Sequence, residues 1–226
     1  MSAPAVPRLL PPEAVLPALP PSVPRRAYPA WVRALGRFTM RVMGWRFVGG
    51  FPDRERFVLV GAPHTSNWDG VIGFAAAAVV GVGFNVFAKR QLFVGPLAWL
   101  LRLFGGVPVD RDAPGGLVGG AVERLTDGTP RIVAITPEGT RRAVDRWKTG
   151  FHRIAVAADV PIAVAALDWG RRQIGIVGTV APSGDLDADL AAIGTLLEGV
   201  NGKHPERQTL PTPASSTEAA APPRGA

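Results

Sequence analysis

From Gly70 to Ala88 the chain carries no charged residue: "GVIGFAAAAVVGVGFNVFA". A stretch of that length without charge has two physical outlets. It crosses a bilayer, which takes about 20 predominantly apolar residues, or it is buried inside a folded domain. Gly73, Gly81, Gly83 and Asn85 interrupt the run. It therefore reads as a buried helix, "GVIGFAAAAVV", followed by a strand, "GFNVFAK".

The same alternation runs along the chain. "RFVLVGAP" (56–63) is a short apolar run closed by glycine and proline, as expected of a buried strand. "QLFVGPLAWLLRLFGG" (91–106) reads as partly helical and "VPVDR" as a strand ending at Arg111. A glycine-rich loop and helix fill 112–128. "RIVAITPEGTRR" (131–142) is a strand running into a Pro-Glu-Gly turn. "GFHRIAVAADV" is a helix, "PIAVAALDW" and "RQIGIVGTV" are strands, and "LDADLAAIGTLLEGVNGKH" is a helix. Strands alternating with helices predict an α/β domain around a mainly parallel central sheet flanked by helices. The 226 residues suit one such domain.

Proline alternates with short aliphatics over residues 1–24, and the tail from 207 to 226 is rich in proline, serine and alanine. Proline denies such segments helix and central strand, so both ends are expected to be disordered arms. The first 24 residues also lack a basic start and an unbroken apolar stretch, which argues against a signal peptide. Residues 51–206 form the expected catalytic domain.

Residues 25–50 stand apart. Trp31, Leu35, Phe38, Val42 and Trp45 recur at steps of three or four, and Arg33, Arg37 and Arg41 form a second row. A basic amphipathic helix with tryptophans suits a lipid headgroup layer. It equally suits an ordinary packing helix with a solvated arginine face. The expected location is peripheral, on the cytoplasmic face of an anionic membrane.

Cysteine is absent, which excludes disulfides, thiol nucleophiles and cysteine-held metals. Three scattered histidines make a histidine-rich metal site improbable, and neither metal nor cofactor is expected. The formal net charge is +7, and only Lys89, Lys148 and Lys203 among the 25 basic residues are lysines. Arginine's planar fork suits phosphate. Nucleic acid is not the expected partner, because no motif of that kind is present. A Gly-x4-Gly-Lys-Ser/Thr loop is missing too.

"HTSNWD" sets His64 five residues ahead of Asp69. A neutral imidazole is a general base near pH 7, and a carboxylate beside it fixes the tautomer and stabilises the imidazolium. Five residues do not share one helix face, but they can meet across a strand-to-helix turn. The alternative is structural: Asp69 caps the helix and His64 is a turn residue. Two further strand ends carry Arg111, and Glu138 with Arg141 around Gly139. Ligands of α/β sheets gather where strands deliver their carboxyl ends.

These segments together resemble the glycerolipid acyltransferases typified by 1-acylglycerol-3-phosphate acyltransferase. That family has a His-x4-Asp motif, a Gly-x5-Arg-like motif, a Phe-Pro-Glu-Gly-Thr-Arg motif and a Val-Pro-Ile strand. This chain shows "HTSNWD", "GGVPVDR", "TPEGTR" and "VPI" in that order over roughly residues 56–205. The resemblance implies His64 as general base and Asp69 as its orienting carboxylate. The acceptor hydroxyl would attack the thioester of acyl-CoA or acyl-carrier protein directly. Arg111, Glu138, Gly139 and Arg141 would form the acceptor pocket, with Lys89 supporting the oxyanion or head group. Val160, Pro161 and Ile162 would line the acyl or acceptor site. Acceptors implied are lysophospholipids or glycerol-phosphate-type molecules, in phospholipid biosynthesis. Pro63 departs from the usual asparagine and Thr136 from the usual phenylalanine; neither removes a reacting group.

Two other classes fit the sequence less well. A serine hydrolase lacks its Gly-x-Ser-x-Gly elbow, and Ser66 is too close to His64 on one turn to serve as its nucleophile. A non-catalytic membrane-surface lipid binder on the same frame accounts for the charge but not for the ordered motifs.

Overall fold

A computed structural model describes residues 16–109 and 116–213. In it, the alternation read from the sequence becomes a seven-stranded sheet. The elements are α1 (Ala30–Val42), β1 (Arg46–Gly49), β2 (Arg56–Ala62), α2 (Asn67–Val80), β3 (Asn85–Lys89), α3 (Gly95–Leu103) and β4 (Gly106–Val109). They continue with α4 (Gly116–Thr126), β5 (Arg131–Ile135), α5 (Gly150–Ala158), β6 (Ile162–Asp168), β7 (Gln173–Val180) and α6 (Leu186–Leu196). The strand order is β1-β7-β6-β2-β5-β3-β4. All pairs are parallel except β6 with β7.

β2 lies at the centre of the sheet, and its period-two alternation feeds two cores. Val58, Val60 and Ala62 join Ala121 and Leu125 of α4, Phe151 and Ile154 of α5, and Ile193 of α6. Phe57 and Leu59 face the opposite way, with Ala77 of α2. A strand buried on both faces has no polar side, which is why this segment reads as a continuous apolar run. Among the described residues, no helix is long and apolar enough to cross a membrane. The uncharged run instead becomes α2 and most of β3.

The N-terminal helix is shorter than the expected 25–50. It stops at Val42, and Trp45 and Phe47 belong to the turn and to β1, an edge strand of the main sheet. Residues 25–50 are therefore joined to the domain rather than set apart from it. Its packing row also differs from the tryptophan row. Val32, Gly36 and Met40 are buried, whereas Trp31, Leu35, Phe38 and Val42 are 56, 56, 64 and 67% exposed. The reason is the close approach of two backbones. A Cβ on Gly36 would lie 2.9 Å from the Ala75 carbonyl oxygen of α2, so the face carrying the smallest residue goes inward.

Both expected arms contract as well. Residues 1–15 and 214–226 lie outside the described residues. Within residues 16–24, Val23 is buried and packs with Phe57 and Val82. Within residues 207–213, the Trp147 indole donates to the Thr209 carbonyl at 2.9 Å, and Pro211 is buried. Proline excludes helix and ladder from these segments but does not prevent extended chain from docking in a groove.

β1 and β7 meet so closely that a Cβ on Gly175 would collide with the Val48 carbonyl oxygen. Overpacking of this kind costs roughly 1–3 kcal/mol. Gly175→Ala is expected to lower unfolding stability by about that amount in a denaturant titration, with β1 losing amide-exchange protection before the central strands.

Candidate active site

The parallel strands β2, β5 and β6 end on the same edge of the sheet. β2 ends at Ala62, and a cis Ala62–Pro63 bond leads to His64. Ser66 then caps α2: its Oγ accepts from the Trp68 amide at 3.2 Å. Asp69 is not the cap residue that the sequence suggests. It stands at the third helical position and reaches back to the Ser66 amide at 2.7 Å, which completes a capping box.

The same carboxylate also faces the histidine. Asp69 Oδ2 lies 3.4 Å from His64 Nδ1 and accepts from the Thr65 amide at 2.7 Å. Oδ1 accepts from the Trp169 indole at 2.7 Å. The catalytic and the structural readings of Asp69 are thus one arrangement. Burial pushes this carboxyl up, but hydrogen bonds from His64, Ser66 and Trp169 outweigh it and hold the group below the ordinary carboxylate range. Asp69 stays ionised, with one oxygen committed to the imidazole side. With Nδ1 turned to Asp69, Nε2 is the ring nitrogen left for a reacting hydroxyl. The contact of 3.4 Å is longer than an ordinary hydrogen bond.

Glu138 comes from the turn after β5. Its side chain is 1% exposed, and Oε2 accepts from the His64 amide at 3.0 Å. Oε1 is buried with no hydrogen-bond partner among the described residues. Burial pushes the carboxyl up to about 7, against the His64 amide and imidazole, which lower it. Glu138 therefore lies under the histidine loop and supports it, rather than standing in the wall of an acceptor pocket as the resemblance implies. Gly139 follows at φ 66°, where L side chains are strained, and Lys148 occupies the space a Cβ would take, at 3.0 Å.

A cavity of about 500 Å³ opens beside these groups. His64, Asp69, Gly139 and Arg141 line its polar part, and Phe51, Leu59, Phe74, Phe84 and Ile176 belong to its apolar wall. The volume falls in the range of roughly 300–1,000 Å³ usual for small-molecule sites. An imidazole backed by a carboxylate can take a proton from a hydroxyl here, with an exposed arginine at hand for an anion.

The remaining expected residues are distributed unevenly. Lys89 ends β3, beside Val109 in the β4 ladder. Arg111 lies outside the described residues. Val160, Pro161 and Ile162 do not line the cavity. They precede and open β6, at the amino end of a strand whose other end carries the site. Val160 and Ile162 are core residues packed with α4 and α5.

Trp169, Lys148 and Lys203 escaped the sequence reading. Lys203 Nζ sits 4.6 Å from the Trp169 ring centroid and 5.7 Å from that of Trp68. The neighbouring His204 amide donates to Thr65 Oγ1 at 3.1 Å. The one available signal was that Trp169 follows a strand directly.

A family model described as Acyltransferase matches residues 47–167, more than half of the chain. The 1-acyl-sn-glycerol-3-phosphate acyltransferase of Streptococcus pneumoniae (strain ATCC BAA-255 / R6) is 32% identical over 109 residues. That match spans 48% of this chain and 40% of that protein. The crystal structure of the 1-acyl-sn-glycerophosphate (LPA) acyltransferase PlsC from Thermotoga maritima is similar, with a TM-score of 0.53. It is 23% identical, with 75% of each chain covered. At that identity the likeness is one of fold.

Glu138 yields a pH signature. Its carboxyl is raised in the folded chain from 4.5 to about 7. Between these values the unfolded chain has released the proton and the folded chain retains it, so folding stability falls as pH rises. Glu138→Gln removes this linkage. The stability of the variant relative to wild type is expected to grow by about 2–3 kcal/mol between pH 5 and pH 7.5 in denaturant unfolding. A difference independent of pH would contradict the burial argument.

Proposed function

Because this chain belongs to the acyltransferase family, we propose that it moves a fatty acyl group from a thioester donor to the hydroxyl of a lysophospholipid or glycerol-phosphate-type acceptor. The donor is acyl-CoA or acyl-carrier protein. The observation that carries the reading is His64, backed by Asp69, on the polar wall of a cavity whose remaining walls are apolar.

The reaction needs one proton moved twice. His64 Nε2 takes the proton of the acceptor hydroxyl as its oxygen attacks the thioester carbonyl carbon. Asp69 stabilises the imidazolium that forms. The carbon–sulfur bond breaks, and His64 returns the proton to the departing thiolate. No acyl-enzyme is required. Arg141 receives the acceptor's anionic head, together with Lys148 beside Gly139 and Lys89 at the end of β3; the sequence motif assigns Arg111 the same role. The apolar walls take the fatty chain.

A lysophospholipid acceptor and the acylated product reside in membranes, and α1 presents a fitting surface. Trp31 stacks on Trp99 of α3, with centroids 6.1 Å apart and planes 9° from parallel. Both rings are more than half exposed. Arg33, Arg37 and Arg41 run alongside, all exposed. We assign this face to an anionic headgroup layer, which makes the protein peripheral. A non-catalytic lipid binder would use the same cavity, but it has no need of the His64–Asp69 pair.

His64→Ala is expected to reduce thiol release from palmitoyl-CoA with a lysolipid acceptor by at least about a hundredfold, with unchanged circular dichroism. Turnover retained in that variant would remove His64 from the mechanism, whereas folded wild-type chain without turnover would leave only the binder. Replacing Trp31 and Phe38 together with serine spares the core, because both side chains are exposed. Sedimentation with anionic vesicles is expected to weaken by roughly tenfold or more, and undiminished binding would remove α1 from the membrane contact.

A further inference from the structure

We propose that Trp169 is a positioning residue for the acyl-transfer site, holding Asp69 in the orientation that serves His64. The inference rests on the reading of His64 as base and deepens it.

Asp69 Oδ2 already serves two backbone amides, Thr65 and Ser66, in addition to His64. Those contacts fix one oxygen but leave the carboxylate free to turn about it. The Trp169 indole N–H binds the other oxygen, Oδ1, at 2.7 Å. That second point of attachment fixes the plane of the carboxylate. It comes from a different strand end, 100 residues further along the chain.

The indole is itself held on several sides. Trp45 meets it edge to face at 5.0 Å and 89°. Lys203 covers its ring at 4.6 Å, and the Arg172 guanidinium lies 5.9 Å from the centroid. The Trp169 amide donates to the Asn201 carbonyl at 2.8 Å. A ring anchored this firmly presents its N–H in one direction. A tryptophan serving only to fill space would not need its single polar atom placed on a buried carboxylate.

The charged groups around Asp69 are His64 on its own loop, Glu138 on the β5 turn, and Lys203 and Arg172 across the indole. Removing only the N–H separates the role of Trp169 from theirs. Trp169→Phe keeps an aromatic ring for Trp45 and Lys203 and deletes the donor. The expected result is a fall in kcat of roughly tenfold, the worth of one hydrogen bond to a charged group. KM for donor and acceptor should remain within about twofold. The indole bond helps keep the Asp69 carboxyl low, so the acid limb of the kcat profile should move to higher pH. A kcat and acid limb equal to wild type, or a change confined to KM, would overturn the proposal.

Carboxyl-carbon NMR gives a readout independent of turnover. The Asp69 titration midpoint should rise in Trp169→Phe, and an unchanged midpoint would again overturn the proposal. That holds even if no acyl transfer is found, so failure of this inference is distinguishable from failure of the acyltransferase reading. Should the variant not fold, the wild-type chain decides. One indole N–H resonance is expected to titrate with the same midpoint as the Asp69 carboxyl. If no indole resonance follows that midpoint, the two groups are not bonded.

Discussion

One carboxylate organises the edge of the sheet where the site lies. Asp69 completes the cap of α2, ties down the turn that carries His64, and accepts a third strand end through Trp169. Each donor alone offsets part of the cost of burying a charge, and together they more than offset it, since the group stays ionised. A buried anion held by two backbone amides and one indole besides the imidazole cannot relax without disturbing the helix start. The imidazole opposite therefore meets a fixed partner.

Glu138 is the counterpart to this arrangement. It is as deeply buried as Asp69 but has one amide on Oε2 and none on Oε1. The difference in donors separates two carboxyls that lie within reach of the same histidine. One is held low and the other pushed up. Two acids at one loop cannot both ionise cheaply, and the hydrogen-bond supply decides which one does. Below about pH 7 the loop thus carries one negative charge, on Asp69, beside the imidazole.

Much of the sheet was legible because burial writes directly into the sequence. Strands covered on both faces become short apolar runs, and their ends are marked by glycine, proline or a sudden charge. β2, β5, β6 and β7 are of this kind. β1 was not legible: four residues, "RFVG", at the edge beyond a helix carry too little pattern to separate them from the helix itself. The outward row on α1 was visible as a row but not as outward, since the face that packs is chosen by Gly36 against Ala75, a contact between distant segments. At the site, the pairing of His64 with Asp69 was readable from one stretch of six residues. Trp169 was not, because its bond to Asp69 spans 100 positions and an indole after a strand has no spacing rule. Val160 to Ile162 were misplaced for the opposite reason: a motif reports order along the chain but not which end of a strand it occupies.

The backbone contact at Gly36 has a mechanical consequence. At Gly36, α1 comes down onto the α2 backbone, with Val32 and Met40 packed on either side, and α2 begins at the loop that holds His64. The outer row of α1 and the imidazole are therefore two points on one stiff bracket. Any plane that supports Trp31 and Phe38 keeps the imidazole at a constant height above it. That height is set by packed helices rather than by the flexibility of a tether.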